Sequence, residues 1–539
     1  MKRNPVLSGI VCLSTVVAFV TLFGVEYISM PAAESVTFDD GTDRSRSVDI
    51  FESETAFGKQ IPFRSIRQPV TPDRVCDITD YGAIGDGSVK NTAAFGKAID
   101  DCAANGGGHV TVPRGRWLTG PIRFRSNIDL HLEKDAEILF STDLSDYLPI
   151  ALSRYDGVEY YNYVSLVHAD KCRNISITGE GTLNGMGQEF WWKTFSNKGE
   201  TKIFKMGAAG APLSDRIFGN TSDGLRPSFI EFTDSRNILI EGVTVRNSPR
   251  WTIHPLYSDD IIIRNITIAT SPGRNTDGIA IDSSRNVLVE NATVSSGDDA
   301  ITIKSGRDRD GLRVGMPSEN VVIRNCHVRD GHGAITIGSE VSGGIRNVLV
   351  YDIDADLTDF GFRIKSSTGR GGSVANVRVR NMHVGRTLKN AVQITMDYDA
   401  QFSPSNTALT DIRDIEIDTL DSRQSGDSVE IIGNAAKPIV NVSLANMRIR
   451  SKNGVIVRNA DHVSLRDITV RNAAGIVQAV RISDSNGVTL TDVACPSGAV
   501  PCLELHGERT GGISLGNGTV LPSQIRFLDG AKSDAVTTE

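Results

Sequence analysis

The sequence predicts an all-β protein, a right-handed parallel β-helix with an N-terminal capping helix. Short β-branched runs that follow Asn or Asp, such as Asn286-Val287-Leu288-Val289, recur roughly every 21 to 38 residues. A second strand in each repeat begins with a small residue, as in Ala300-Ile301-Thr302-Ile303. Constant strand cores with variable spacing are typical of a β-solenoid whose loops differ in length. Helical solenoids, leucine-rich repeats and propellers do not fit, because the runs are β-branched, lack regular leucines and keep no fixed period.

The first element in chain order is an export segment, residues 1–30. Lys2 and Arg3 precede an uncharged and mostly apolar stretch, Val6–Val25, which is typical of a signal peptide. The stretch is also close to the ~20 residues that span a bilayer, so an uncleaved N-terminal membrane anchor remains open. We therefore expect a secreted or periplasmic protein, with membrane anchoring through the N-terminus as the alternative.

The next two elements are a linker and a helix. Residues 31–72 carry mixed charges without a sustained period, and we interpret them as a linker. Residues 91–104 predict a helix with Asn91 as its cap, because Ala94, Phe95, Ala98, Ile99 and Cys102 share one face. Residues 73–539 are then expected to form the β-helix domain.

Composition excludes several classes of function. The chain has 57 Lys and Arg against 65 Asp and Glu, a net charge of −8. No nucleic-acid binding through bulk positive charge is expected, so any polyanion must be attracted by a local basic cluster. The cysteines show no CxxC or Cys/His pattern, and we expect no structural zinc. Cys495 and Cys502 are close enough in sequence to form a disulfide if the protein is exported.

Aligning the second strands predicts which side chains face outward. The small residues Gly278, Ala300, Ala334 and Gly361 occupy position zero, and apolar residues occupy positions one and three of every coil. Even positions then face outward. The outward row carries the following ionisable residues: Arg363 at position two, and Asp282, Lys304 and Lys365 at position four. Ionisable groups from successive coils therefore converge on one surface.

Three carboxylates precede these strands. Asp277 and Asp299 align in adjacent coils, and Asp298 aligns with His332. An isolated Asp beside Gly usually only makes a turn. Three aspartates in register lie close together, and the repulsion between their charges raises the pKa of at least one of them. One carboxyl group then holds a proton while another stays ionised. That division into acid and base is what hydrolysis of a glycosidic bond requires.

These segments resemble the four motifs of the polygalacturonases, glycoside hydrolase family 28, whose fold is the pectin-lyase-like solenoid. The matching segments, in the family's order, are Asn275-Thr276-Asp277-Gly278, Gly297-Asp298-Asp299, Gly331-His332-Gly333 and Arg363-Ile364-Lys365. The resemblance extends from about Asp80 to about Leu505. It implies a secreted hydrolase that inverts configuration while cleaving α-1,4-galacturonosyl linkages of pectin, without a cofactor or metal, and we expect a monomer. Asp298 would be the general acid, Asp277 and Asp299 would activate water, and His332 would tune the acid.

The same resemblance implies residues that bind substrate. Arg363 and Lys365 would bind the sugar carboxylate, and Tyr398 is our choice for the tyrosine that follows this motif. His254 falls on the outward row with Lys304, which makes both subsite candidates, although His254 could equally be a surface histidine beside a proline turn. Four further segments resemble a bacterial branch with exo-acting members: Arg154–Glu159, Trp251–Pro255, Ser305–Gly311 and Gly338–Gly344.

Alternative functions remain open at this stage. A rhamnogalacturonan hydrolase or an endo-polygalacturonan hydrolase would use the same fold, and a calcium-dependent pectin lyase would need a calcium site beside a strong base. From another class, a non-catalytic β-helix could bind glycans or serve in adhesion, but none of the three stacked Asp residues is replaced. The insertion 185–226 and the segment 155–163 could close one end of a groove, which favours exo action.

Overall fold

The structure is a computed structural model that describes residues 46–48, 54–56, 59–61, 63–398, 406–471, 479–495, 501–516, 520 and 522–538, with side chains from residue 63 onwards. The expected export segment lies outside the described residues. Within the described ranges, no helix combines the length and apolar character needed to cross a membrane.

The chain winds into a right-handed parallel β-helix, as the sequence predicts, with three ladders of parallel strands. The first ladder consists of Ile122–Arg123, Val167–Asp170, Ile230–Thr233, Ile253–Leu256, Ile279–Asp282, Ile301–Lys304, the end of Ser318–Gly338, Thr358–Lys365, Asn390–Thr395, Asp427–Ile432, Asn453–Arg458, Val480–Ser483, Leu503–His506 and Ile525–Leu528. The second ladder begins with Val75–Asp77, Gly108–Val112, Ile128–Leu132, Arg173–Gly179, Arg236–Glu241, Asp259–Arg264 and Arg285–Glu290.

The third ladder is separate only in the early coils. Its strands there are Gly115–Thr119, Ala136–Phe140, Thr182–Asn184, Thr244–Arg246, Thr267–Ala269 and Thr293–Ser295. From residue 318, long strands cover the second and third ladders: Ser318–Gly338, Ile345–Ala355, Ser373–Arg386, Asp411–Gln424, Ile439–Arg450, Ala460–Arg471 and Asn486–Ala494. Two strands of three residues, Ile513–Leu515 and Val536–Thr538, complete the stack.

The core lies inside the coils, and the predicted register is confirmed. Along the first ladder Ile279 pairs with Ile301, Ile301 with Ile335, and Ile335 with Phe362, all fully buried. Asp282 pairs with Lys304, which places both on the outward row as expected. Each coil of the first ladder therefore adds a layer of apolar side chains to the core and a layer of polar side chains to the outer surface.

Helices lie at the N-terminal end and in the insertions. The cap, Thr92–Ala104, buries the predicted face and packs on the first strands. Asn91 precedes it as expected, but its side chain bonds to the backbone of Ile84 and not to the helix. The other α-helices are Trp192–Thr194, Asn197–Ala209 and Asp308–Val314. There are also short 3-10 helices, Ile78–Tyr81, Leu144–Tyr147, Leu213–Asp215, Pro522–Gln524 and Ser533–Ala535, and one turn of π-helix, Gly187–Trp191.

The segment 31–72, interpreted from the sequence as a linker, contains short strands. Strands Arg46–Val48 and Ile66–Gln68 pair antiparallel, and Glu54–Ala56 pairs with Lys59–Ile61. Ile66 is fully buried on the outside of the second ladder, against a column formed by Leu239, Ile262, Leu288, Val322 and Leu349. Strands of three residues are too short to show a period, which is why the pattern gives no sign of them.

A hairpin covers part of the first ladder. Ala151–Tyr155 and Val158–Asn162 pair around Asp156 and Gly157, both of which have positive φ (41° and 84°), as a tight hairpin turn requires. Its aromatic side chains pack with Ile203 and Phe204 of the helix Asn197–Ala209. The expected disulfide Cys495–Cys502 is present, and Cys172 and Cys326 are buried free thiols.

Candidate active site

The three carboxylates meet where the first ladder begins its strands. Asp277 immediately precedes the Gly278 register position, and Asp298 and Asp299 precede Ala300 in the next coil. The backbone N–H of Gly278 donates to the carbonyl of Asp299 at 3.0 Å, which holds the two coils in register. One oxygen of each carboxylate lies within 4.8 Å of the others. The stacking predicted from sequence therefore brings these side chains together.

Two lysines contact the buried carboxyl groups of Asp277 and Asp299. Lys304 Nζ lies 3.5 Å from an oxygen of Asp277 and 2.9 Å from one of Glu340. Lys365 Nζ donates to Asp299 at 2.8 Å, and the hydroxyl of Thr336 donates to the other oxygen of Asp299 at 3.0 Å. All five charged residues are almost completely buried, so these contacts form the floor of the site.

Asp298 differs because it faces the groove. Its carboxylate accepts the backbone N–H of Asp299 at 2.9 Å and lies 3.2 Å from His332 Nδ1. Its side chain is 22% exposed and that of His332 is 55% exposed. The backbone N–H of His332 donates to the carbonyl of Asp298, which fixes the pair across two coils. This pair, the open pair, is the part of the site that a ligand can reach.

The two kinds of environment separate the carboxyl pKa values. Burial, reinforced by Asp298 and Asp299 and only partly offset by Lys304, raises the pKa of Asp277 well above its usual value. Burial also acts to raise the pKa of Asp298, but the hydrogen bond and charge of His332 outweigh it and lower that pKa to about 2. The bond to Asp298 raises the pKa of His332 to about 9. These pKa shifts favour the protonated form at Asp277 and at His332 and the ionised form at Asp298.

Cations and an aromatic ring line the next coil. Arg363 donates to Gln393 at 2.8 Å and stacks 3.8 Å from the centroid of the Phe360 ring, and it is half-buried. The guanidinium of Arg363 and the ammonium of Lys365 each lie 5.2 Å from the Tyr398 ring. Burial lowers the pKa of Arg363. The structure thus places Tyr398 beside both predicted cations, while Lys365 itself is used on Asp299.

The expectation that His254 is a subsite or surface residue does not agree with the structure. Its ring is completely buried, with Nδ1 3.1 Å from Glu231 and Nε2 3.5 Å from Asp282. Arg154 of the hairpin donates to Asp282 at 2.7 Å and closes the group from above. We call Arg154, Glu231, His254 and Asp282 the closed cluster. The hairpin covers this part of the outward row, so His254 has no surface to offer a ligand, whereas Lys304 lies at the floor of the site.

Strand register does not place two of the site residues, although both lie in segments that resemble the exo-acting branch. Glu340 lies beyond the strand, after Gly338, and a residue outside the strand has no register position. Arg154 belongs to an insertion, and nothing in its local pattern connects it with Asp282, 128 residues away. Thr336 is different, because it sits on the outward row at position two, opposite Thr302. A hydroxyl beside three aligned carboxylates could have been selected as a donor.

The hairpin forms a wall on one side of the carboxylate site. The hairpin turn packs so closely that a Cβ on Gly157 would lie 2.6 Å from the backbone of Arg307 and 2.8 Å from Glu340. The hairpin is fixed from both sides, since Asp310 accepts the backbone N–H of Glu159 and the guanidinium of Arg216. Arg250 also binds Asp156 at the turn. The wall therefore stands directly beside the Lys304–Glu340 contact.

Comparison with known proteins supplies the family. A family model of the glycosyl hydrolases family 28 matches residues 102–464. The chain is 34% identical over 386 residues to a probable polygalacturonase of Vitis vinifera, covering 69% of this chain and 73% of the relative. It is 28% identical over 435 residues to an exo-poly-alpha-D-galacturonosidase of Dickeya chrysanthemi, covering 74% of this chain and 71% of the relative.

A solved structure agrees with these relatives. The crystal structure of a hyperthermoactive exopolygalacturonase from Thermotoga maritima superposes with a TM-score of 0.67 and 33% sequence identity, covering 79% of this chain and 94% of the other. The family match includes all four segments that surround the carboxylates. The chain belongs to the glycosyl hydrolases of family 28.

Proposed function

We propose that this hydrolase cleaves the α-1,4-galacturonosyl linkages of polygalacturonate from a chain end. The observation that carries the proposal is the position of Asp298 and His332, open to the groove between a wall on one side and Arg363 with Tyr398 on the other. A cation beside the reacting position suits a sugar that bears a carboxylate. The relatives whose names describe exo action on galacturonan support the same substrate.

Asp298 is the proposed acid, although its low pKa leaves it ionised in the free site. A bound sugar would remove water from the open pair. Without water, the ionised pair of Asp298 and His332 is disfavoured relative to the pair in which both groups are neutral. The proton on His332 Nδ1 can then pass to Asp298, 3.2 Å away, and from there to the glycosidic oxygen. In this sequence His332 stores the proton that Asp298 delivers.

Asp277 and Asp299 are proposed to handle the attacking water. The raised pKa of Asp277 favours its protonated form, and that form can donate a hydrogen bond that orients the water. Asp299, held by Lys365 and Thr336, can accept the proton that the water loses as its oxygen bonds to the anomeric carbon. The three groups then supply one acid, one orienting donor and one base.

The carboxylates lie closer together than is usual for an inverting enzyme. A groove-spanning separation of about 6.5–9.5 Å is usual for inverting enzymes and about 5–5.5 Å for retaining ones. Here the nearest oxygens lie within 4.8 Å, because all three side chains turn toward the same corner of the coil. Spacing alone would favour retention, whereas the family resemblance implies inversion, and we propose inversion with a water held between Asp277 and Asp299.

Product analysis tests both parts of the proposal. On de-esterified polygalacturonate we expect monogalacturonate as the main early product, with slow loss of viscosity, because a walled groove admits only a chain end. Mixed oligomers with a rapid fall in viscosity would instead support an endo-acting hydrolase, and activity restricted to rhamnogalacturonan would support that alternative. Proton NMR before mutarotation should show a β anomer first; an α anomer would establish retention.

Location and assembly follow from the substrate. A pectic polysaccharide is too large to reach an intracellular enzyme, so we propose that the protein acts outside the cytoplasm, secreted or periplasmic or held by its N-terminus. We propose that it works as a monomer, since the carboxylates and cations all come from one chain. Fractionation of cells that express the full chain, followed by size-exclusion chromatography with light scattering, would test both statements.

A further inference from the structure

The first ladder contains a bulge two coils beyond the histidine of the open pair. Thr358 pairs with Thr387, but Phe362 pairs with Val392, so the second chain has one extra residue between these two pairs. In a regular strand, consecutive side chains point to opposite faces. At the bulge two consecutive side chains are both exposed, those of Leu388 and Lys389. Bulges of this kind re-aim side chains and are over-represented next to active sites.

The bulge places a cation beside Arg363. The Lys389 ammonium lies 5.2 Å from the centroid of the Phe360 ring, and the Arg363 guanidinium lies 3.8 Å from the same centroid. Cations of adjacent coils therefore flank one ring. Lys389 is 58% exposed and pairs with Asp359 at 3.2 Å. Such a solvated ion pair contributes little to stability, so a carboxylate from a ligand can compete for the ammonium.

An apolar ledge lies next to this cation. Leu388 is 69% exposed, the highest value among the large apolar side chains that the structure describes. Leu357 of the preceding coil is also exposed, and the backbone N–H of Leu388 donates to the carbonyl of Thr358 at 2.9 Å. A single exposed leucine needs no explanation, but two on adjacent coils beside a cation form a surface on which a ligand can pack.

The wall and the charges of the later coils indicate which way a bound chain runs. The hairpin reaches Asp282, in the coil that precedes the open pair, so a chain that ends at the wall must continue over later coils. On the row of Arg363, the next side chains are Gln393 and then Glu430. The carboxylate of Glu430 would repel a second acidic sugar. The row that carries Lys389 offers a cation instead.

We propose that Lys389 and Leu388 form a further sugar-binding subsite, which holds the second galacturonate beyond the cleaved bond. Its ammonium pairs with the carboxylate of that sugar, and the leucine packs against the apolar face of the ring. The inference rests on the proposed function, in which Arg363 holds the first sugar beyond the bond. A methyl ester on the second sugar should therefore weaken binding, because it removes the anion.

Galacturonate oligomers of two lengths test this subsite. The dimer occupies only the positions on either side of the cleaved bond, whereas the trimer adds the second sugar beyond it. The measured quantity is the KM for the trimer divided by the KM for the dimer. Lys389→Met should raise this ratio about fivefold, the value of one exposed charge pair. Leu388→Ser should raise it by a smaller factor, and Lys389→Arg, which keeps the charge, should retain the ratio of the wild type.

The control is an exposed lysine at the N-terminal cap. Lys90 pairs with Asp146 at 2.7 Å and is 42% exposed, and Lys90→Met should keep the ratio of the wild type. An unchanged ratio in Lys389→Met, including an equal loss on both oligomers, would overturn the subsite while leaving the proposed function intact. A wild-type enzyme that cleaves neither oligomer would instead contradict the proposed function, and the subsite with it.

Discussion

The closed cluster and the open pair use the same residue types on adjacent coils of the first ladder. In the closed cluster, Asp282 contacts His254 and Arg154, and all three side chains are completely buried. In the open pair, Asp298 contacts His332, and both reach the groove. The hairpin thus covers the Asp–His contact of the closed cluster, whereas the Asp–His contact of the open pair is accessible. The difference lies in what covers the coil, not in the strand itself.

Neighbouring coils of one repeat can therefore carry either a stabilising group of side chains or a reactive one. The arginine that the hairpin brings to Asp282 satisfies a carboxylate that could not otherwise remain charged in the interior. At Asp298 that partner is a titratable imidazole, which can give up its proton. We therefore expect changes in the closed cluster to affect mainly stability and changes in the open pair to affect mainly turnover.

The largest expected effect is a loss of activity when Asp298 of the open pair is changed. Asp298→Asn should lower kcat on polygalacturonate by about 10²–10⁴-fold, because it removes proton donation to the leaving oxygen. The melting temperature should change little, since the lost contact is half-exposed. Steady-state assays and a thermal melt of the same preparation measure both. Turnover near that of the wild type would remove Asp298 from the acid role.

The second effect is the converse change in the closed cluster. Asp282→Asn leaves Arg154 buried without its charge partner, and breaking a buried pair in this way costs about 3–5 kcal/mol. Urea unfolding of wild type and variant measures the loss in the free energy of unfolding. Arg154→Met together with Asp282→Asn should recover part of it. If Asp282→Asn has the same free energy of unfolding as the wild type, burial does not distinguish the closed cluster from the open pair.

The third prediction tests the cation that stays open to the groove. Arg363→Gln removes a half-buried guanidinium that donates to Gln393, a neutral partner. A lost charge-assisted hydrogen bond to a substrate carboxylate costs about 1.5–3 kcal/mol, so KM should rise by about 10–100-fold. Arg448→Gln, at an exposed pair with Asp467 on another face, is the matched control. Equal effects of the two variants would show that Arg363 has no special place in binding.

The smallest effect is a titration. NMR should show the His332 imidazole titrating near pH 9, and Asp298→Asn should return it toward the ordinary value of about 6.5. Because the folded-state pKa is raised, the stability from this pair is full below about pH 6.5 and is lost as pH rises through about 9. The effect on unfolding should be small, since His332 is half-exposed. His109, whose pKa the bond to Asp129 raises, should not respond to Asp298→Asn.

The coil register could be predicted because it depends on local alternation. Ile301 and Ile303 point inward whatever lies far along the chain, so Asp298 and Asp299 follow at the corner. The spacing between carboxylates could not be predicted, because side-chain direction at a turn is not fixed by strand register. The cover over His254 could not be predicted either, since an insertion has no register with the coils. The sequence predicts that Lys365 binds the sugar carboxylate. Its hydrogen bond to Asp299 could not be predicted, because it also depends on side-chain direction.

The short strand Ile66–Gln68 has a consequence for where this chain can be cut. Ile66 covers an apolar column that belongs to five coils between Leu239 and Leu349, far from the N-terminal end of the stack. Proteolysis or truncation just after Gln68 would leave the cap Thr92–Ala104 in place, yet it would expose that column to water. Exposed apolar patches promote association. A shortened chain would therefore aggregate through the middle of its flank while both ends of the solenoid remained intact.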